Sequence, residues 1–333
     1  MELDDPNMEA ADRAARRLLA QAPKTIEAVR GGGNNRLFKV ETATGTVALK
    51  SYRPADSDDW DRLAHEWTAL VFMARHLPGS IPRPIAHEPA SGWAAIEWVE
   101  GARIGERGEV DIAAALEFAG ALRRLGAVAT GEQFTEAREA CLCLADLLLQ
   151  IDWRFKRLEP VAAANADLAD FLGEVRAEYA VRRQAALQAL EAAARLPQNS
   201  RVLSPSDFGF HNALRRPSGK LVFLDFEYFG WDDLAKLACD VHWHPGMGLS
   251  PAERALFATG FERQAQDDPG YRQRITAYRP LIGLRWCLIL LNEFLAVGLA
   301  RRRYAGQTEE ASAAQARQLA KARALYSSIV HRI

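Results

Sequence analysis

The stretch Ser204–Asn212 reads SPSDFGFHN, and a second stretch, Leu224–Glu227, reads LDFE. The first places Asp207 five residues before Asn212, and the second places Asp225 directly after a short apolar run. Loops that follow short strands bring such oxygen-bearing side chains together at the strand ends. Mg²⁺ prefers hard oxygen ligands and usually binds only one or two carboxylates. The two stretches therefore predict a magnesium site at Asn212 and Asp225, with Asp207 left to bind a hydroxyl group.

The two stretches lie in the one strand-forming part of a helical half of the chain. Short strands are predicted at 202–203 and 221–224, around a turn signal, RPSG, at 216–219. Elsewhere in this half, apolar residues recur three and four positions apart, which is the helical pattern. The predicted helices cover 111–128, 137–157, 168–195, 251–266, 271–304 and 309–330.

The first hundred residues have a different character. The runs RLFKVE (36–41) and TVALKSY (46–52) are separated by four residues that end in glycine, which predicts a β-hairpin. A helix is predicted from Ser57 or Asp58 onward, because apolar residues then recur at helical spacing. Further strands are predicted at 25–30 and 92–99, with a glycine-rich loop at 31–35.

Composition supports two parts and excludes several functions. The chain has 333 residues, of which 49% are hydrophobic, so it exceeds the size at which one core usually suffices. We predict a strand-rich lobe at 1–100 and a helical lobe at 101–333. Lys and Arg number 42 against 43 Asp and Glu, so a nucleic-acid partner or a polybasic membrane anchor is disfavoured. Neither a leader sequence nor a membrane span is predicted, and we expect a cytoplasmic protein.

The strand-rich lobe supplies a cation to complement these oxygen groups. Lys50 ends the hairpin strand in VALK, and Glu66 lies inside the following predicted helix. A lysine that pairs with such a glutamate is a positioned cation for phosphate oxygens. The ordinary alternative, a strand-end lysine that points into water, is the commoner fate of lysine.

Taken in order, the motifs resemble the aminoglycoside phosphotransferase and choline kinase family, which is related to the protein kinases. The order is a glycine-rich loop, VALK, a helix with Glu, IEWV, D-x4-N and LDFE, and it spans about residues 26–245. The resemblance implies an α+β, bilobal protein-kinase-like fold with a small antiparallel sheet, one main helix in the first lobe and a larger helical lobe. It also implies that ATP binds between the lobes.

The resemblance assigns roles residue by residue. Asp207 resembles the catalytic aspartate, which orients the attacking hydroxyl in a reaction that depends mostly on positioning. Asn212 and Asp225 match the magnesium ligands, within a catalytic loop at 201–230. The residues similar to the family's ATP-binding positions are Gly33, Asn35, Lys50, Glu66, Glu97 and Val99.

We therefore expect an ATP- and Mg²⁺-dependent phosphotransferase that acts on a hydroxyl of a sugar, a sugar derivative or an amino alcohol. Three departures from the family's pattern keep an alternative open. Pro205 and Gly209 stand where histidines are usual, and Lys236 replaces the aspartate of the usual Asp-Leu-Ala. The alternative is a nucleotide-binding scaffold with impaired catalysis. An aminoglycoside-resistance kinase is a narrower possibility, and a protein kinase is disfavoured because no activation-loop-sized segment follows Asp225.

Acidic and indole side chains beyond Asp225 are candidates for binding the acceptor. Carboxylates and indoles can hold a cationic amine, and indoles can stack on a sugar face. The alternative is that these residues are helix caps and core residues. His242 and His244 are not predicted to bind metal, because alternate helical residues do not share a face and no nearby acid or thiol completes a set. The acceptor candidates are Glu227, Trp231, Asp233, Asp240, Trp243, Trp286 and Glu293.

Overall fold

The computed structural model describes residues 6–29, 35–53, 60–129, 134–304 and 310–331, with the backbone alone at 6 and 301–303. The chain forms two compact units, each discontinuous in sequence. Unit 1 takes its described residues from Met1–Gly105, Asn212–Phe229 and Ala300–Thr308, and unit 2 takes the rest. The predicted lobes, 1–100 and 101–333, stay a prediction.

Unit 1 is built on a five-stranded antiparallel sheet in the order β1-β2-β3-β5-β4. The predicted hairpin is β2 and β3, in which Phe38 pairs with Leu49. Helix α1 was not anticipated, and its fully buried alanines, Ala11, Ala14 and Ala15, pack on one face of the sheet. The strands are β1 (Thr25–Val29), β2 (Arg36–Glu41), β3 (Thr46–Ser51), β4 (Pro84–Glu88) and β5 (Trp93–Glu97), and the helices are α1 (Pro6–Leu19) and α2 (Arg62–His76).

The second part of unit 1 is a small three-stranded sheet in the order β6-β8-β9. Its strands are β6 (Ala102–Arg103), β8 (Ala213–Arg215) and β9 (Leu221–Phe223). The turn predicted at 216–219 joins β8 to β9, and Ala213 pairs with Phe223. Asn212 precedes β8 and Asp225 comes two residues after β9, so both lie at the end of this hairpin that is opposite the turn.

Unit 2 is mostly helical, and the central helix α8 packs against α4, α5, α6 and α10. The long helix predicted over 271–304 is interrupted: α8 ends at Leu290, a 3-10 turn covers Leu291–Phe294, and α9 begins at Ala296. The predicted strand at 202–203 is β7 (Val202–Ser204), and it pairs with β10 (Gly230–Asp232). The helices are α3 (Glu109–Leu125), α4 (Leu144–Ala162), α5 (Ala166–Ala189), α6 (Leu234–Trp243), α7 (Pro251–Gln264), α8 (Tyr271–Leu290), α9 (Ala296–Tyr304, shared with unit 1) and α10 (Ala311–Val330).

The helices in the described ranges include none that is both long and apolar enough to cross a membrane.

Two glycines of unit 2 give a matched test of the packing. A Cβ on Gly230 would lie 2.5 Å from both the amide nitrogen of Ala137 and the carbonyl oxygen of Thr135, whereas a Cβ on Gly173, inside α5, would meet nothing within 4 Å. We expect Gly230→Ala to lower the free energy of unfolding by about 1–3 kcal/mol, because the backbone must move. Gly173→Ala should raise it by about 0.4–1 kcal/mol. Urea denaturation measures both, and an equal effect of the two substitutions would contradict the packing at Gly230.

Candidate functional site

Lys50 is held between two carboxylates in unit 1. Its Nζ lies 2.6 Å from Oε2 of Glu66 and 2.7 Å from Oδ1 of Asp225. The Lys50 side chain is 10% exposed and that of Glu66 is 2% exposed, whereas the Asp225 side chain is 37% exposed. The predicted pairing of Lys50 with Glu66 is therefore present, and Asp225 is the carboxylate that remains accessible to a ligand.

Local sequence explains this arrangement. Side chains alternate along a strand, so Val47 and Leu49 of β3 pack towards α1 while Lys50 points to the opposite face. In α2, Glu66 lies three residues after Leu63 and four before Leu70, within the buried stripe of the helix. The period of the strand and the period of the helix therefore bring the two charges together.

Asp225 has a backbone conformation that is uncommon for aspartate. Its φ is 65°, in the left-handed region, and a non-glycine residue there is held by its surroundings. The preceding amide of Leu224 donates to the carbonyl of Asn212 at 2.8 Å, which extends the β8–β9 pairing by one step. Asn212 and Asp225 thus stand side by side at the end of this hairpin. Their amide and carboxylate oxygens are hard donors, which fit Mg²⁺.

The electrostatics keep Lys50 charged. Burial alone would lower the pKa of Lys50, but the negative charges of Asp225 and Glu66 outweigh burial and hold that pKa well above its ordinary value. The hydroxyl of Tyr52 donates to Oε2 of Glu66 at 2.8 Å. Burial, followed by the charge of Glu66, raises the pKa of Tyr52, so this hydroxyl stays a donor. The cluster therefore presents a permanent cation suited to phosphate oxygens.

Glu227 lies close to the charges of the Lys50 cluster, in the same unit. Its Oε2 accepts a 2.5 Å hydrogen bond from Nδ2 of Asn35, and its carbonyl accepts one of 2.8 Å from the indole of Trp60. The side chain is 1% exposed. Burial, followed by the charge of Asp225, raises the pKa of Glu227 to about 7. The hydrogen bond joins Asn35, which is predicted to bind the nucleotide, to Glu227, which is predicted to bind the phosphoryl acceptor. Both roles stay predictions.

The other predicted nucleotide-binding residues lie at or just beyond the end of strand β5, or outside the described ranges. Glu97 ends β5, and its side chain forms a 2.6 Å ion pair with Arg216. Val99, two residues after Glu97, is buried. Gly33 lies outside the described residues. The ATP-binding role of Glu97 and Val99 stays a prediction.

Asp207, in unit 2, is surrounded by two histidines. Its Oδ1 lies 2.9 Å from Nε2 of His211 and 3.0 Å from Nε2 of His244. The two imidazole rings stack in parallel, with centroids 3.9 Å apart. Burial alone would raise the pKa of Asp207, but the hydrogen bonds from the two histidines outweigh burial and hold that pKa well below its ordinary value. Asp207 is therefore a carboxylate at neutral pH, which can orient a hydroxyl group.

The sequence did not point to the two histidines. The sequence predicts no metal ligand at His244, because no acid lies near it along the chain, but in the structure the carboxylate of Asp207 lies beside it. His211 stands four residues after Asp207, and that spacing was an available signal. Nothing in the sequence connects His244 to Asp207, which is 37 residues away.

The backbone before Asp207 is held by a buried lysine. Ser206 has a φ of 64°, and its Oγ accepts a 3.1 Å hydrogen bond from Nζ of Lys236. Lys236 is 1% exposed and pairs with Asp232 at 2.8 Å and with Asp240 at 3.1 Å. Lys236, which departs from the family's pattern, thus braces the residue that precedes Asp207.

Most acceptor candidates in unit 2 have partners within the unit. Asp240 accepts from Arg285 at 2.5 Å and from the indole of Trp286 at 2.8 Å. Asp233 accepts from the amide of Ala235, which caps α6, and pairs with Arg274 at 2.6 Å. Trp243 is buried, and its indole donates to the carbonyl of Arg279. Glu293 is buried in the 3-10 turn, whereas Trp231 lies half-buried in β10. Their part in acceptor binding stays a prediction.

A model of the APH phosphotransferase enzyme family matches residues 25–278. The chain belongs to this family. The match covers most of both units, and the motifs from the glycine-rich loop to Asp225 lie within it. The predicted family and the predicted enzyme class, a phosphotransferase with an alcohol group as acceptor, are confirmed.

Solved structures share the fold of this APH-family chain at low identity. The choline kinase of Streptococcus pneumoniae has a TM-score of 0.61 at 14% identity and covers 97% of this chain and 100% of its own. A spectinomycin phosphotransferase, solved with ADP and spectinomycin, has a TM-score of 0.59 at 10% identity, with 93% and 98% covered. The ethanolamine kinase of Plasmodium vivax has a TM-score of 0.58 at 14% identity, with 96% and 89% covered. A comparison with curated protein sequences finds no significant match. The predicted α+β, protein-kinase-like fold is confirmed.

The turn that follows His244 in this APH-family protein is held by an ion pair that should respond to pH. Arg107 donates to the carbonyls of Met247 and Gly248 at 2.7 and 2.9 Å, and its Nε lies 2.8 Å from Oε1 of Glu253. Mainly through this hydrogen bond, the pKa of Glu253 is lowered from 4.5 to about 2.

A carboxyl group whose pKa is lower in the folded state stabilises the fold above its unfolded pKa, and this contribution is lost as pH falls towards the folded pKa. Between pH 5 and pH 3, the free energy of unfolding should decrease more in the wild type than in Glu253→Gln, which has no carboxyl group at this position. We expect the two decreases to differ by about 1 kcal/mol, a small value because the pair is partly solvated. Urea denaturation at each pH measures this difference. Glu117→Gln, at an exposed position of α3, is the control, and parallel curves for wild type and Glu253→Gln would contradict the assignment.

Proposed function

We propose that the protein is an ATP- and Mg²⁺-dependent kinase of a small hydroxylated molecule. The observation that carries the proposal is the buried Lys50, fixed between Glu66 and the accessible carboxylate of Asp225. A surface lysine would not require two carboxylates to hold it, whereas a phosphate-binding lysine must be positioned. Membership of the phosphotransferase family supports the same reaction class.

Each predicted functional residue has a role in this proposal. Lys50 binds phosphate oxygens of ATP, and Glu66 holds the lysine in place. Asn212 and Asp225 hold Mg²⁺, which neutralises charge on the phosphates when bound. Asp207 orients the acceptor hydroxyl and accepts its proton. The bond between the γ-phosphorus and the bridging oxygen breaks, a bond from the γ-phosphorus to the acceptor oxygen forms, and ADP leaves.

The proposed acceptor is a sugar, a sugar derivative or an amino alcohol. Structures of the same fold include a choline kinase, an ethanolamine kinase and a phosphotransferase in complex with spectinomycin. Amino alcohols and amino sugars share a hydroxyl group near a cationic nitrogen, and the half-buried indoles of Trp231 and Trp286 are the acceptor candidates of unit 2 that stay partly accessible to such ligands.

The alternative, a scaffold without transfer activity, was suggested by Pro205 and Gly209. The surroundings of Gly209 favour an active enzyme. A Cβ on Gly209 would lie 2.2 Å from Sδ of Met247 and 3.0 Å from the imidazole of His211. The space that a side chain at residue 209 would occupy is therefore filled, and one of the groups that fill it is a histidine bonded to Asp207.

The proposal is tested by ADP release from Mg-ATP in the presence of choline, ethanolamine, spectinomycin, hygromycin B and a panel of simple sugars. We expect at least one acceptor to support turnover. Asp207→Asn should lower kcat by about a hundredfold or more, because it removes the proton acceptor. Asp170→Asn, at an exposed position of α5, is the control and should leave kcat unchanged.

Two results would contradict the proposed activity: no ADP release with any acceptor, or equal rates for the wild type and Asp207→Asn. If ATP with Mg²⁺ still raised the melting temperature of an inactive wild type, the scaffold alternative would hold, since binding to the folded state stabilises it.

A further inference from the structure

The tautomer of His244 is defined by a backbone group. The amide of Gly246 donates to Nδ1 of His244 at 3.0 Å. A nitrogen that accepts a hydrogen bond carries no proton, and a neutral imidazole has one N–H, so the proton of His244 resides on Nε2. That nitrogen lies 3.0 Å from Oδ1 of Asp207. His244 therefore donates a hydrogen bond to this carboxylate.

Contacts with two other aromatic rings restrict the ring of His244. The ring of Trp286 meets it edge to face, with centroids 4.3 Å apart, and the ring of His211 stacks on it. The indole of Trp286 is itself fixed, because it donates to Asp240. The amide of His244 donates to the carbonyl of Asp240 at 2.7 Å, at the end of α6. The ring is thus packed as a positioning group is, with its Nε2 directed at Asp207.

The turn after His244 depends on a small residue. The amide of Met247 donates to the carbonyl of His244 at 3.0 Å, which closes the turn. A Cβ on Gly246 would lie 3.0 Å from Cε1 and 3.1 Å from Nδ1 of His244. A glycine at 246 therefore lets the backbone approach the imidazole closely enough for its N–H to bind Nδ1.

We propose that His244 is a positioning residue that orients the carboxylate of Asp207 for the acceptor hydroxyl, in the tautomer set by the amide of Gly246. This inference rests on the proposed function, in which Asp207 orients the hydroxyl. His211 and His244 bind the same oxygen, Oδ1, and two donors on one oxygen fix the plane of the carboxylate. Lys236 braces the preceding residue, Ser206, through a hydrogen bond to its Oγ.

A transition-metal site is the competing interpretation of the same three side chains. Two imidazoles and one carboxylate are a known ligand set for such metals, and their donor atoms lie within 4.8 Å of one another. A metal would need the lone pair of Nε2, however, and the hydrogen bond from Gly246 places the proton of His244 there. Binding a metal would therefore require a tautomer change and the loss of the Gly246 hydrogen bond.

Steady-state kinetics with Mg-ATP test the positioning role. ATP hydrolysis, in which water is the acceptor, is measured for every variant. Each panel compound that proves active is then used in turn as the acceptor. We expect His244→Leu to lower kcat by about tenfold to a hundredfold, because a misoriented group loses that much. KM for ATP should stay within about twofold, since ground-state binding is unchanged. His244→Gln keeps an N–H at similar reach and should recover most of kcat. His242→Gln, on the same helix, is the matched control.

Equal kcat for the wild type and His244→Leu would overturn the proposal. An equal loss in His244→Leu and His244→Gln would overturn it too, because a general packing defect then explains the loss.

A second measurement does not depend on activity. Long-range proton–nitrogen NMR spectra of the histidine-labelled protein report which ring nitrogen carries the proton, and the spectrum of His244→Gln identifies the signals of His244. We expect a protonated Nε2 and an unprotonated Nδ1. Protonation on Nδ1, with Nε2 open to a metal, would overturn the proposal. An inactive wild type that shows the expected tautomer would instead contradict the proposed function and leave the hydrogen bond to Asp207 established.

Discussion

The buried ion pairs of Lys50 are the interaction on which the site of unit 1 depends. A lysine that is 10% exposed is costly unless its charge is compensated. Glu66 compensates it from α2, and Asp225 compensates it from the end of the β8–β9 hairpin. The sheet, the helix and the hairpin must therefore keep their relative positions for the cation to remain buried. The left-handed backbone of Asp225 belongs to the same constraint, because it directs that carboxylate towards the lysine.

In unit 2, the carboxylate of Asp207 is stabilised in a different way. Asp207 is kept ionised by two imidazole hydrogen bonds, and the loop before it is braced by a lysine inside a cluster of buried charges. Removing one member of such a cluster leaves the others buried without compensation. Asp240 connects the two supports, since it accepts from Lys236 and also from Trp286, which packs against His244. The support of Asp207 is therefore one continuous network in this unit.

Sequence periodicity predicted the elements that carry Lys50 and Glu66, because a strand period of two and a helical stripe are visible locally. It missed α1, whose buried residues are alanines with little hydrophobic signal. It also missed the interruption after Leu290, because an apolar run continues through a break in the helix. His244 could not be found, since its partner is distant in sequence and its role depends on a backbone amide. The departures at Gly209 and Lys236 became interpretable only when their neighbours in space were known.

The most direct test of Lys50 as the phosphate-binding cation is a comparison of ATP and AMP binding by titration calorimetry in the presence of Mg²⁺. Lys50→Met should weaken ATP binding by about tenfold to a hundredfold, the usual loss for a charge-assisted contact, and should leave AMP binding nearly unchanged. Lys39→Met, on the neighbouring strand β2, is the control. Equal ATP affinity in the wild type and Lys50→Met, or an equal loss for ATP and AMP, would contradict this role for Lys50.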